Sequence, residues 1–120
     1  MRYFKCCLLL IGSFWLGAAN AAAWVEGVPI AVQKTDYGSL KLIYIRFLAP
    51  LATDAPCDDK SGVVIMDDNP SAKAALSFAM TALTSGNKFS CYINTNQCSA
   101  ITGAPTTFPV CEYYPALIKK

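Results

Sequence analysis

The sequence predicts an α+β domain, a small and mostly antiparallel sheet or partly open barrel with one helix packed on it, stapled by disulfides. Three observations carry that expectation. Apolar and alternating segments follow one another in the order strand, strand, strand, helix, strand, strand. A single alanine-rich segment with a clear start and stop lies among them. Four of the six cysteines fall in the part of the chain that would fold.

The first 23 residues are set apart from that fold. Arg2 and Lys5 form a positive start, and Cys6 to Leu16 (CCLLLIGSFWL) is an apolar core. Small residues follow from Gly17 to Ala23, and Ala19-x-Ala21 and Ala21-x-Ala23 both fit the pattern cut by a signal protease. Residues 1–23 are therefore expected to be a cleaved signal peptide, with 24–120 as one small exported domain. Gly17, Asn20 and the alanines make the stretch a poor lipid-facing helix, so no membrane span is expected after cleavage. Lipid attachment needs a cysteine directly after the small-residue stretch, whereas Cys6 and Cys7 stand ahead of it, which excludes attachment through them.

Removing Arg2 and Lys5 leaves eight basic residues against eight acidic ones. A neutral domain without a basic stripe has no handle for a phosphate backbone, so nucleic acid is not an expected partner. Cys57, Cys91, Cys98 and Cys111 form an even set in an exported chain, which implies two bridges. Zinc is disfavoured because the cysteines lack paired spacing and the chain has no histidine.

Trp24 lies at the expected new N-terminus, where it either folds back onto the sheet or stays disordered. Val28 to Lys34 is a β-rich run, and Pro29 makes it an edge strand or a strand start. Thr35-Asp36-Tyr37-Gly38 is turn chemistry. Leu40 to Leu48 (LKLIYIRFL) is the strongest strand, forming a hairpin with the first run across a four-residue connection. Ala49 to Ser61 reads as loop, and Gly62 to Met66 as a short buried strand.

Asp67-Asp68-Asn69-Pro70 reads as a helix start. Asn69 or Asp68 would cap free N–H groups, and Pro70 would take the first helical position. The helix is expected over 70–85. Ala72, Ala75, Leu76, Ala79, Met80, Ala82 and Leu83 fall on its buried face, and Lys73, Ser77, Thr81 and Thr84 on the other. So much alanine implies close approach to the sheet. Gly86 stops the helix. Lys88 to Asn94 alternates, with Phe89, Cys91 and Ile93 inward. Residues 94–107 read as loop, and Phe108 to Tyr114 as a last strand placed near an edge by Pro109. Pro115 to Lys120 reads as a loose tail.

Cys91 and Cys111 fall in strands that can face each other, which favours a Cys91–Cys111 bridge and leaves Cys57 and Cys98 to tie two loops. Pairing Cys91 with Cys98 and Cys57 with Cys111 stays open.

One run of elements resembles a known group. Cys57, GVVIMDD, PSAKAALSFAMTALTSGN, KFSCYIN and Cys98 are similar in order to small exported bacterial domains with an OB-like fold, among them the receptor-binding B subunits of the AB5 toxins. The match covers about the middle half of the exported part. It implies an OB-like barrel, a Cys57–Cys98 bridge, and a glycan-binding or oligomeric role. The additional Cys91 and Cys111 depart from the one-bridge form of the pattern, and no binding residue carries over.

Without histidine, a Ser-His-Asp or Cys-His device cannot be built, and no enzyme activity or cofactor is expected. Asp58-Asp59 and Asp67-Asp68 are adjacent pairs, unlike the spaced carboxylates of a calcium loop, and read as turn and capping residues. Tyrosines are the remaining candidates. Tyr44 and Tyr114 are possible contributors, while Tyr92, Asn94, Asn96 and Tyr113 are the expected ligand-binding residues, with Gln97 beside them. Exposed rings there would stack on sugars and the amides would bond hydroxyls. The expectation is thus a periplasmic or secreted, non-catalytic module that binds a glycan or protein partner or its own copies. The alternative is a small inhibitor or adaptor acting through residues 94–107.

Overall fold

The computed structural model describes residues 22–37, 40–101 and 105–119. All but the last two residues of the expected signal peptide lie outside this range, as does the Gly38 turn. The described elements are β1 (Ala22–Gly27), β2 (Pro29–Tyr37), β3 (Leu40–Phe47), β4 (Gly62–Met66), α1 (Ala72–Ser85), β5 (Lys88–Ala100) and β6 (Thr107–Ile118). They form one sheet in the order β1-β5-β6-β4-β3-β2. Every neighbouring pair is antiparallel except β4 with β6. The expected α+β class is therefore observed, with a single helix among the described residues.

β1 and β2 are consecutive in the chain yet end up at opposite edges of the sheet. They act as two halves of one bent strand, and the sheet curls between them into a partly open, OB-like barrel. Gly27 sits at the bend. A Cβ there would lie 2.8 Å from Cδ1 of Phe47, so only glycine lets the corner press against that ring. The Leu48 N–H donates to the Val28 carbonyl at 2.9 Å and holds the corner.

Inside the curl, Ile43, Ile45, Val63, Ile65, Phe89 and Ile93 are almost fully buried, together with Cys91 and Cys111. Each fully buried large apolar side chain contributes about 1.5–3 kcal/mol relative to exposure. Ala72, Ala75, Ala79 and Ala82 form the buried stripe of α1, which gives the close helix–sheet approach expected from their size. On the opposite face of the sheet, Leu42, Val64 and Phe108 make a second small core. Burial on both faces explains why β4 is continuously apolar rather than alternating.

Both bridges have the favoured pairing, Cys57–Cys98 and Cys91–Cys111, with Cα separations of 5.6 and 5.8 Å. Gly86 ends α1 with φ of 73°, and its N–H donates to the Ala82 carbonyl.

Several boundaries differ from expectation. β1 is an unexpected strand, its first alanines continuing the small-residue stretch assigned to the signal peptide. β2 runs to Tyr37, whose register partner is Leu40, so the connection is two residues rather than four. Residues 94–100 and 107 are strand, not loop, because Cys98, Ser99 and Ala100 pair with Pro109, Phe108 and Thr107. Residues 115–118 are not a tail, since Ala116, Leu117 and Ile118 pair with Ser90, Phe89 and Lys88. β6 is interior rather than near an edge. Its ladder with β4 has one registered pair, Val64 with Val110, and so brief a ladder tolerates the donor missing at Pro109.

The helix begins two residues later than expected, and neither aspartate caps it. Asn69 instead accepts the Ser71 N–H at 2.8 Å and donates through Nδ2 to the Glu112 carbonyl at 2.9 Å. It shapes the entry turn and ties it to β6. Met80 is exposed rather than buried, because it projects well off the alanine stripe. No helix among the described residues is long and apolar enough to cross a membrane.

Candidate functional site

Three adjacent strands place aromatic residues in one row on the outer face of the sheet. Trp24 of β1 is the register partner of Tyr92 of β5, and Tyr92 is the partner of Tyr113 of β6. Directly opposed residues project from the same face of an antiparallel pair. Trp24 and Tyr92 meet edge to face with centroids 5.0 Å apart. Tyr114 closes a triangle with them, 5.8 Å from Trp24 and 6.2 Å from Tyr92. Tyr113 lies 5.9 Å from Tyr114.

Consecutive residues of a regular strand point to opposite faces, yet Tyr113 and Tyr114 are 56% and 65% exposed. A bulge is the reason. From Ser90 to Tyr92, β5 advances two positions while β6 retreats three, from Ala116 to Tyr113. The extra residue is absorbed where Tyr114 takes a φ of 54°. A positive φ is unfavourable for a bulky side chain, and bulges of this kind re-aim side chains. Here the bulge brings the Tyr114 ring onto Trp24.

Trp24 is itself 58% exposed. Four clustered rings are thus available to solvent to differing degrees. Polar groups flank them. Glu26, on the same face of β1 as Trp24, holds Lys88 of β5 at 3.3 Å. At the other end Asn94 follows Tyr92 on the same face, opposite Ala22. Its Oδ1 accepts the Asn96 N–H at 2.9 Å, so this oxygen serves the local turn. Asn96 is exposed beyond the end of β1.

Of the expected residues, then, Tyr92 and Tyr113 are brought together, Asn94 borders them, and Asn96 stands further along the β5 arm. Gln97 is elsewhere. It lines an open cleft of about 490 Å³ between the α1 entry turn and β6, with Asp68, Asn69, Glu112 and Tyr113. Tyr113 is shared between this cleft and the ring cluster. Trp24, expected either to fold back onto the sheet or to stay disordered, lies in β1, where the alternation Trp24-Val25-Glu26 fits a half-buried strand.

Tyr44 does not join the cluster. It packs against Phe108 at 4.9 Å on the β3–β6 side of the sheet. Burial, reinforced by the charge of Asp59, pushes its hydroxyl pKa above the ordinary tyrosine range. Asp59 accepts the side-chain hydroxyl and the N–H of Ser61, which hold its carboxyl below the usual range. Asp58 accepts the N–H and hydroxyl of Thr107, each at 3.1 Å. Both aspartates thus do the turn and loop work expected of them.

No protein-family model, curated protein or solved structure matches the chain. The geometry of the ring cluster therefore carries the functional argument.

Chemically, the row offers apolar ring faces beside charged and amide groups. Such a surface has the chemistry to stack on a flat, partly apolar ligand and to bond its hydroxyls.

Proposed function

We propose that this chain is an exported, non-catalytic binding module whose ligand face is the outer row of Trp24, Tyr92, Tyr113 and Tyr114, and that its ligand is a glycan. The observation that carries this reading is the exposure of clustered rings on three paired strands. Single exposed apolar groups need no explanation, but a contiguous exposed patch rimmed by polar groups marks an interaction surface. Sugar rings have an apolar C–H face that stacks on aromatic rings and an equatorial rim of hydroxyls. Glu26, Lys88 and Asn94 stand where such a rim would lie.

Export is supported by the leader-like residues 1–23 and by two disulfides, which persist in oxidising compartments and are rare in the cytosol. A periplasmic or secreted location follows from that reading. A non-catalytic role is supported by the absence of histidine from the chain, which rules out a Ser-His-Asp or Cys-His device.

Glycan-array binding of the exported protein, compared with its Trp24→Ala variant, tests the proposal. Binding to a restricted set of glycans, weakened at least tenfold in the variant, is the expected result. A protein blind to every glycan, or a variant that binds as well as the parent, refutes it. Sedimentation of the same samples reads self-association. Dimers or larger rings that dissociate in Trp24→Ala would mean that the rings are buried between copies, and would replace the glycan with a second copy of the chain.

A further inference from the structure

The open cleft between the α1 entry turn and β6 begins where the aromatic row ends, and Tyr113 belongs to both. We propose that this cleft is a second subsite for the same ligand. The ligand is then an uncharged oligosaccharide, with one unit stacked on the rings and the next seated in the cleft. This rests on the glycan reading above and adds a length and a charge to it.

Register explains how the cleft is lined. Tyr92 and Ile93 are consecutive on β5, but their β6 partners, Tyr113 and Cys111, are two residues apart. Glu112 is the extra residue of that bulge. Beyond it the imbalance reverses. From Ile93 to Cys98 β5 advances five residues, while β6 retreats two, from Cys111 to Pro109. The surplus on β5 falls in the stretch that ends with Gln97. Bulges re-aim side chains and are over-represented beside functional sites. Here Glu112, Tyr113 and Gln97 all line the one cleft.

The lining suits a sugar. Asp68, Ser71, Gln97 and Glu112 bring carboxylates, a hydroxyl and an amide to its wall, and Met66 and Val110 add apolar surface. The side chains of Asp68, Gln97 and Glu112 bond to no other described residue, and the Ser71 hydroxyl does not cap α1. All four are open to a ligand's hydroxyls. Asn69 is engaged instead in holding the wall together, through its bond to the Glu112 carbonyl. The volume of about 490 Å³ lies within the range of about 300–1,000 Å³ usual for small-molecule sites. Two carboxylates line the cleft, and no lysine or arginine is among the described residues that line it. Like charges repel at contact range, so a sugar carrying sulfate, phosphate or carboxylate is disfavoured there.

Titration of the exported protein with galactose-based and N-acetylglucosamine-based oligosaccharides of one to four units tests the proposal. Linking two bound units makes the second contact intramolecular, so affinity should rise roughly tenfold or more from one unit to two. The double variant Asp68→Ala with Gln97→Ala should lose that gain and keep the parent's affinity for the single sugar. Both side chains are exposed, and an unchanged urea midpoint would show the fold intact. Trp24→Ala should weaken single and linked sugars alike. Equal affinity for one and two units, or a double variant that keeps the gain, overturns the cleft subsite and leaves stacking on the rings standing. A sulfated two-unit sugar bound as tightly as its neutral counterpart overturns the assigned charge. A parent protein that binds no sugar of any length overturns both this proposal and the glycan reading. The length and sulfate comparisons use the parent chain and depend on no variant.

Discussion

Trp24 and Tyr92 face each other across the β1–β5 ladder with ring centroids 5.0 Å apart and planes inclined at 61°. The contact links the first described strand to the long central arm of the sheet. An edge-to-face aromatic pair contributes about 0.5–1.5 kcal/mol beyond the area it buries. A double-mutant cycle of Trp24→Ala and Tyr92→Ala, read by urea unfolding, should return a coupling energy in that range. Additive effects would show that the rings sit side by side without holding β1. Trp24 is the sole indole of a chain cut anywhere within Ala21–Trp24, so its fluorescence reports the cluster alone.

Tyr114 separates stability from binding. Its φ of 54° is a conformation that glycine adopts freely and a bulky residue adopts at a cost of about 1–3 kcal/mol. Tyr114→Gly relieves that strain and loses the ring contacts with Trp24 and Tyr92. Unfolding stability should stay within about 1 kcal/mol of the parent. Glycan affinity should fall at least tenfold, as read by titration. A large loss of stability would mean that the ring contributes far more to the fold than its exposure implies.

The two disulfides should differ in a defined order. Cys57–Cys98 closes a separation of 41 residues and Cys91–Cys111 one of 20. Loop entropy alone gives about 4 and 3 kcal/mol respectively. The shorter bridge is buried more deeply in the main core than Cys57 and Cys98, so replacing both its cysteines with alanine adds a larger cavity cost. Replacing Cys91 and Cys111 should therefore destabilise at least as much as replacing Cys57 and Cys98, despite the shorter loop. Urea unfolding of the two double variants decides it. The reverse order would show that chain entropy outweighs core packing. Either loss is large beside the total of about 5–15 kcal/mol typical of a domain.

Acid and alkali should act through Asp59 and Tyr44. The Ser61 bonds lower the folded pKa of Asp59, so its contribution is complete above the unfolded value of about 4 and is lost as pH falls through the lower folded value. Burial raises the folded pKa of Tyr44, so its contribution is complete below the unfolded value of about 10 and is lost as pH rises through the higher folded value. In a plot of urea midpoint against pH, Asp59→Asn should flatten the acid limb and Tyr44→Phe the alkaline limb. Unchanged limbs would assign the pH dependence to other groups.

Much of this was legible in the residues themselves. The alternation of Phe89, Cys91 and Ile93 gave their inward direction, and Gly86 its place after the helix. The outward direction of Tyr92 was equally plain. Tyr113 and Tyr114 were harder, because the period-2 rule allows only one of two neighbours to face outward. The bulge that exposes both follows from the pairing of β5 with β6, which no local pattern reports. The 94–107 segment misled for a related reason. Its polar and turn-forming residues have weak strand preference, and pairing between the two arms of the hairpin overrides it.

By itself the sequence determined the class of this protein: one helix, a mostly antiparallel sheet, two bridges among four cysteines, and a leader-like start. Those properties depend on composition, period and spacing, all of which are local. The tertiary structure decided the rest. It bent β1 and β2 into one closing strand, placed β6 in the interior, and aligned Trp24, Tyr92 and Tyr113 across three strands. Register is a relation between segments far apart in the chain, and a one-residue slip would turn each ring to the other face. The aromatic row therefore exists only once β1, β5 and β6 have paired.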